Sequence, residues 1–177
     1  LSIEDDPSGG TATLGGGNLT RTVSSGLATW AAAQDLNINL VGTGYSLLAT
    51  SSAMTDESSN FNITPAAAAS IAFVQQPVNT VAGEDILVTV EILDGLGNRV
   101  TTDNTSTITL SIEDDPSGGT ATLGGGNLTR TVSSGLATWA AAQDLNINLT
   151  GVGYSLTATM GAFTNESSNF NITPAAA

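Results

Sequence analysis

The sequence contains no cysteine, no histidine and no lysine, and its only basic residues are Arg21, Arg99 and Arg130. Disulfides are therefore impossible, no thiolate or imidazole is available to a metal, and neither a Ser-His triad nor a lysine Schiff base can be assembled. Lysine-to-asparagine isopeptide cross-links are excluded by the same count. With 16 acidic residues against 3 arginines the formal charge is −13, so a phosphate backbone would be repelled and no nucleic-acid partner is expected. Long apolar runs are missing too. None approaches the roughly 18 to 20 residues that a helical span needs, and no basic segment followed by an apolar stretch marks a signal peptide. We expect no membrane insertion, with any targeting segment lying upstream. The lack of cysteine does not fix a compartment, because reducing cytosol and many secreted bacterial β proteins are both compatible with it.

What is present is repetition. Leu1–Leu40 recurs without a change as Leu110–Leu149, and the likeness runs on to the SSNFNITPAAA strings at Ser58–Ala68 and Ser167–Ala177, with seven differences over 68 shared positions. The offset between the copies, from Leu1 to Leu110, is too long for a solenoid unit and right for a small β domain, which predicts modules in series. With 20 glycines, 40% hydrophobic and 11% charged residues, each module has material for a modest core and little surface charge.

Within Ala69–Ala177 the apolar period is two nearly everywhere. Ile71 and Phe73 open a strand that Pro77 ends. Ile86, Val88, Val90 and Ile92 alternate with Leu87, Thr89, Glu91 and Leu93, and Asp94-Gly-Leu-Gly-Asn98 is a tight hairpin signal. Ile108, Leu110 and Ile112 form the next inward row, placing Thr109 and Leu110 in one continuous strand. Leu128–Val132 joins Leu136–Trp139 through Ser133-Ser134-Gly135. Leu145 and Ile147, then Tyr154–Ala158, then Phe170–Ile172 complete about seven or eight strands, and a short helical turn is possible only within Ala140–Leu145. The differences between copies report on facing: Tyr45, Leu47 and Ala49 match Tyr154, Leu156 and Ala158, whereas Leu48 is replaced by Thr157, so the first row should point inward and the second outward. Ser51-Ser52 against Met160-Gly161, and Asp56 against Asn165, mark a hairpin loop and its flank.

A unit of this size, with closely and regularly spaced turn signals, points to an immunoglobulin-like sandwich. The stretches Ala82–Val100, Thr107–Ile112, Gly135–Trp139, Gly151–Thr159 and Phe170–Thr173 resemble the bacterial Ig-like repeats strung in large surface adhesins and stalk proteins. The likeness covers essentially the whole chain. It departs from such repeats in carrying Trp where they more often show Phe after Ala-Thr, and in its very low drift between copies. The resemblance implies an all-β fold of immunoglobulin-like β-sandwich modules in tandem, on the cell surface or outside the cell, with function carried over by analogy alone.

Candidate sites are few. Glu113-Asp114-Asp115 and its copy Glu4-Asp5-Asp6 follow a strand, and calcium favours such oxygens, with Asp103, Glu84 or Asp85 as further ligands. The spacing matches no EF-hand, and a solvated turn is the favoured reading, with no cofactor expected. Neighbouring carboxylates on one loop do not fix the two-sided separation of glycoside hydrolysis, so no enzyme is expected. Asn-x-Ser/Thr triplets at Asn18, Asn62, Asn104, Asn127, Asn148, Asn165 and Asn171 are glycosylation candidates in a chain where several arise by chance. Tyr154 reads either as a tyrosine-corner residue whose hydroxyl returns to the backbone or as a core aromatic with its hydroxyl at the surface. Trp139 and Trp30, alternating with Ala137 and Ala28, read as core before they read as a sugar platform.

The domain reading is an incomplete module over 1–68, holding only a C-terminal part, and a complete module over 69–177. Two second parts share one first part, Ala69–Thr109, and exchange among identical chains cannot repair that imbalance. The expectation is therefore a longer polypeptide with a segment like Ala69–Thr109 before Leu1, the alternative being strands supplied by a different subunit. Function follows as a structural repeat segment of an extracellular stalk, adhesin or filament, its short Thr64–Ala68 connector limiting bend and its partners neighbouring copies of the module. The competing class is a carbohydrate- or cell-surface-binding module acting through loops such as Gly15–Asn18 or Glu113–Asp115.

Overall fold

The computed structural model describes residues 1–31, 36–140 and 145–175. Every regular element among them is a β-strand, and the pairings are antiparallel apart from one short parallel pair. Most of the turn expected within Ala140–Leu145 lies outside the described residues. The chain separates into two compact units, Leu1–Pro65 and Ala66–Ala177.

The first unit contains β1 (Ser2–Ile3), β2 (Leu14–Gly15), β3 (Asn37–Ile38), β4 (Gly42–Tyr45), β5 (Leu47–Ser51), β6 (Met54–Glu57) and β7 (Phe61–Ile63). They pair as β1-β5-β6, β2-β3 and β4-β7. The second unit contains β8 (Ala68–Gln75), β9 (Thr80–Val81), β10 (Val88–Asp94), β11 (Thr107–Ile112), β12 (Leu123–Gly124) and β13 (Thr129–Thr131). It continues with β14 (Leu136–Trp139), β15 (Asn146–Ile147), β16 (Gly151–Tyr154), β17 (Leu156–Met160), β18 (Phe163–Glu166) and β19 (Phe170–Thr173). Its two main sheets, β14-β10-β8 and β13-β11-β17-β18, enclose one apolar core in a sandwich-like arrangement, with β16-β19-β9 and β12-β15 beside them.

Alternation explains why these strands face as they do. Val88, Val90 and Ile92 of β10 are fully buried while Thr89, Glu91 and Leu93 look the other way, the period of two expected of a half-buried strand. Each such side chain contributes about 1.5–3 kcal/mol on burial. Ile71 and Phe73 of β8, Ile108 and Leu110 of β11, and Leu156 and Ala158 of β17 join them, with Thr157 half-exposed as the replacement of Leu48 implies. β11 runs unbroken from Thr107 to Ile112 through the Thr109–Leu110 join.

The Asp94–Asn98 turn closes as its composition predicts. Asp94 N donates to Asn98 O at 2.9 Å, Gly97 N to Asp94 O at 3.1 Å, and Val100 N to Ile92 O at 2.8 Å. The Asp94 carboxylate is buried beneath this turn, where it accepts from Leu96 N, Asn98 N, the Asn98 amide and Ala66 N. Burial opposes its ionisation, but these donors outweigh that cost and hold its carboxyl below the ordinary value.

One joint differs from the sequence expectation, and another changes sheet where the sequence placed a turn. Tyr154–Ala158, read as one strand, is split at Ser155: Tyr154 ends β16, paired with β19, and Leu156 begins β17, paired with β11. Ser155 is fully buried and bonds Asp114 and Glu166, so the chain changes sheets there without leaving an unsatisfied polar group. The Ser133–Leu136 turn, with Ser134 and Gly135 at φ 50° and 73°, likewise hands the chain from β13 against β11 to β14 against β10. These sheet changes raise the number of described segments in this unit above the seven or eight read from alternation.

The identical stretches behave differently in the two units. Leu136–Trp139 is β14, paired residue by residue with β10 as Val88↔Trp139, Thr89↔Thr138, Val90↔Ala137 and Glu91↔Leu136. Leu27–Trp30, of identical sequence, forms no strand, and neither does Thr20–Thr22, the counterpart of β13. Val132 is 3% exposed and Val23 is 56% exposed. Among the described residues, none plays for the first unit the part that 68–94 plays for the second.

The glycine of this turn allows a direct comparison. A Cβ on Gly135 would lie 2.6 Å from the Val100 carbonyl oxygen, whereas one on Gly26 meets nothing within 4 Å, and both residues have positive φ. Gly26→Ala should therefore cost only the left-handed backbone strain, about 1–2 kcal/mol at most. Gly135→Ala should lower the melting temperature of the second unit by several degrees more, which a thermal melt of the two variants side by side will show.

Candidate functional site

The acidic loops are built from local hydrogen bonds. Asp115 Oδ1 accepts from Ser117 N at 2.9 Å and Ser117 Oγ at 2.6 Å, and Oδ2 accepts from Ala121 N at 3.0 Å. Asp6 repeats this with Ser8 N, Ser8 Oγ and Ala12 N at 2.9, 2.6 and 3.0 Å. The Ser117 hydroxyl first, then the backbone N–H groups of Ser117, Ala121 and Gly119, outweigh desolvation and hold the Asp115 carboxyl below its ordinary value; Ser8, Ala12 and Gly10 do the same for Asp6. Each aspartate thus organises its own turn, the usual work of an Asx residue.

The other acidic candidates are dispersed. The exposed Glu113 accepts from Thr157 Oγ1 at 2.7 Å through Oε2, and Asp114 contributes its backbone N–H to Ser155 Oγ. In the first unit Asp5 donates its N–H to Ser46 Oγ and accepts from Asn60 Nδ2 at 3.3 Å, while Glu4 N donates to Ser46 O at 3.0 Å. Asp103 binds the N–H groups of Ser106 and Thr105, both at 3.0 Å, which lowers its pKa. Glu84 is exposed and Asp85 half-buried in the turn after β9. Among the described residues no group of three or more acidic side chains converges on a point that could hold a metal ion.

Tyr154 is decided by geometry. Its ring is buried and its hydroxyl donates to Leu149 O, five residues upstream, at 3.1 Å; Tyr45 donates to Leu40 O at 3.0 Å. Of the two readings, the return to the backbone is the one observed. Burial pushes the phenol pKa up. The ring also requires glycine beside it, since a Cβ on Gly151 would stand 2.7 Å from Pro116 Cγ and 2.9 Å from Tyr154 Cε2. Trp139 is 1% exposed with Nε1 donating to Asn127 O at 3.0 Å, so it is core and offers no face to a sugar.

The seven asparagines of the Asn-x-Ser/Thr triplets share an unexpected use. Each side-chain carbonyl accepts a backbone N–H: Thr20 for Asn18, Gly44 for Asn62, Ser134 for Asn104 and Thr129 for Asn127. Asn148 accepts from Thr122, Asn165 from Phe73 and Asn171 from Gly153. Asn165 and Asn171 are half-buried, and the other five are exposed. Asn165 fastens β18 to β8, a tie between the two sheets that the triplet pattern concealed.

One concave surface stands out, and sequence inspection by motif did not single it out as a site. In the first unit a groove of about 380 Å³ is lined by Leu1, Val23, Ala28, Trp30, Ala49 and Met54, with Arg21 and Asp56 at its polar positions. Comparison with protein-family models and with curated proteins finds no match to this chain.

Three outcomes are expected. Because Asp6, Asp94, Asp103 and Asp115 have depressed folded pKa values, their stabilisation is present above the unfolded aspartate value of about 3.9 and is lost as pH falls through the folded values. Melting temperature should hold steady down to about pH 4 and fall below it, less steeply in Asp94→Asn. Tyr154→Phe should cost about 1–2 kcal/mol by removing a buried donor and leaving Leu149 O unpaired, measured by denaturant unfolding. Chelation should leave the melting temperature unchanged, because the turn carboxylates are occupied by their own chain; a drop of about 5 °C would reveal a structural ion.

Proposed function

We propose that this chain is a non-enzymatic, load-bearing stretch of an extracellular stalk, adhesin or filament in which immunoglobulin-like β-sandwich modules follow one another in tandem. The observation that carries the reading is the parallel pair near the two ends of the second unit, Thr80 against Ile172 and Val81 against Thr173. Tension applied through the ends of the unit pulls β9 toward its start and β19 toward its finish. Their bonds are then loaded together along the strand axis, where several must fail at once.

The pair is reinforced on both sides. Ala82 N donates to Thr173 O at 2.9 Å, Thr173 Oγ1 to Thr80 O at 3.2 Å, and Asn171 N to Asn79 Oδ1 at 2.8 Å. The near-identical copies in the sequence support the same reading.

Pulling single chains from both ends tests this. The second unit should extend in one step, with a gain of roughly 3.3–3.6 Å per residue released, at a force that Asn79→Ala lowers. Gradual extension without a force peak would refute the mechanical role. Saturable binding of the chain on a glycan array would favour the carbohydrate- or cell-surface-binding reading in its place.

A further inference from the structure

We infer that the groove of the first unit is a strand-acceptor site, and that its occupant is a further copy of the segment Ala66–Thr109. The inference does not rest on the stalk reading. It needs only that the acceptor residues of the two units are the same and that, in the second unit, the structure displays what covers them.

The correspondence is residue by residue. Val132, Ala137, Trp139, Leu110 and Ala158 are buried in the second unit, where β10 and β8 extend the sheet of β14 and bring Val88, Val90, Ile92, Ile71 and Phe73 into the same core. Their counterparts Val23, Ala28, Trp30, Leu1 and Ala49 line the open groove. Met54, the counterpart of Phe163, is 71% exposed, and Leu27, the counterpart of Leu136, is 69% exposed. The lining therefore presents the apolar side chains that a pair of strands with alternating Ile/Phe and Val/Val/Ile rows covers in the other unit, beside a Leu27–Trp30 segment that lacks the strand partner β14 has.

The polar positions select the same occupant. Phe73 N donates to Asn165 Oδ1 at 3.2 Å, and the first unit carries Asp56 there, which presents a carboxylate oxygen to the same N–H as a charge-assisted acceptor. Gln76 Oε1 accepts Ser168 N at 2.8 Å and Asn79 Oδ1 accepts Asn171 N at 2.8 Å, and Ser59 and Asn62 repeat those donors. At the groove's end Leu1 N donates to Leu19 O at 2.8 Å, as Leu110 N does to Leu128 O at 3.0 Å, so this end of the acceptor keeps the geometry of the covered unit. A ligand without backbone donors and alternating apolar side chains meets none of these requirements.

The probe is a synthetic peptide of residues 66–109 added to the full chain. In Trp139→Phe, the remaining Trp30 emission should shift to the blue and saturate at one peptide per chain; in Trp30→Phe, the Trp139 emission should not move. Ala28→Asp places a charge where Val90 of the peptide would sit and should weaken binding at least about tenfold while leaving the melt of the second unit unchanged. If the peptide aggregates, the same segment fused ahead of Leu1 must bury Trp30 and protect the Leu27–Trp30 amides from exchange. Trp30, half-buried in the free chain, gaining no burial in the fusion, peptide entering only the second unit, or a self-associated chain that buries Trp30 and resists the peptide would each overturn the assignment, the last in favour of a second acceptor face as the occupant.

Discussion

The pairing of Val88–Glu91 with Leu136–Trp139 is the interaction on which the second unit depends. It supplies a backbone partner for β14 and at the same stroke sets Val88, Val90 and Ile92 beside Trp139 and Ala137 in the core they share with the β11–β17 sheet. Strand formation and core burial are one event here, because the unpaired N–H and C=O groups of an edge and the apolar face beneath it are covered by the same segment. The first unit, with the acceptor residues alone, forfeits both: Leu27–Trp30 forms no strand and Val23 and Leu27 stay in water.

Turn chemistry is insensitive to that loss. The Asp6 and Asp115 turns use the same donors at matching distances, Ser46 and Ser155 both hold Glu57 and Glu166, and Tyr45 and Tyr154 both return to a carbonyl five residues back. Their bonds close over a few residues or within one hairpin, so they need no distant segment to form. The carboxylates of Asp6, Asp115 and Asp103 bind backbone N–H groups a few residues on and so stabilise their own loops, while those of Glu113 and Asp5 bond the Thr157 and Asn60 side chains.

Much of the fold was legible residue by residue. Alternation placed Val88, Val90 and Ile92 inward, the Asp94–Asn98 glycines announced the hairpin, and the exchange of Leu48 for Thr157 told the outer row from the inner. The sheet change at Ser155 was not legible, because Tyr154, Leu156 and Ala158 keep an unbroken period of two while the backbone partner changes from β19 to β11. Periodicity reports which face is buried and is silent on which strand lies alongside. The Asn165–Phe73 tie was hidden for a related reason, since it joins residues 92 apart in the chain and Asn165 carried a glycosylation pattern that drew attention elsewhere. The groove of the first unit was foreseeable only as a shortage of strands; its lining and its polar positions are tertiary facts.

The repeat separates the two kinds of information within one molecule. For Leu1–Leu40 and Leu110–Leu149 the sequence is the same, and what the two stretches share closes within the stretch itself: the Asx turns, the pairing of Leu14–Gly15 with Asn37–Ile38 and of Leu123–Gly124 with Asn146–Ile147, and the Trp Nε1 bonds to Asn18 O and Asn127 O. Whatever differs was decided by tertiary structure, namely whether Leu27–Trp30 or Leu136–Trp139 becomes a strand and whether its tryptophan is sealed from water. The physical reason is that a β-strand satisfies its backbone through a neighbour distant in sequence, whereas a turn satisfies its own.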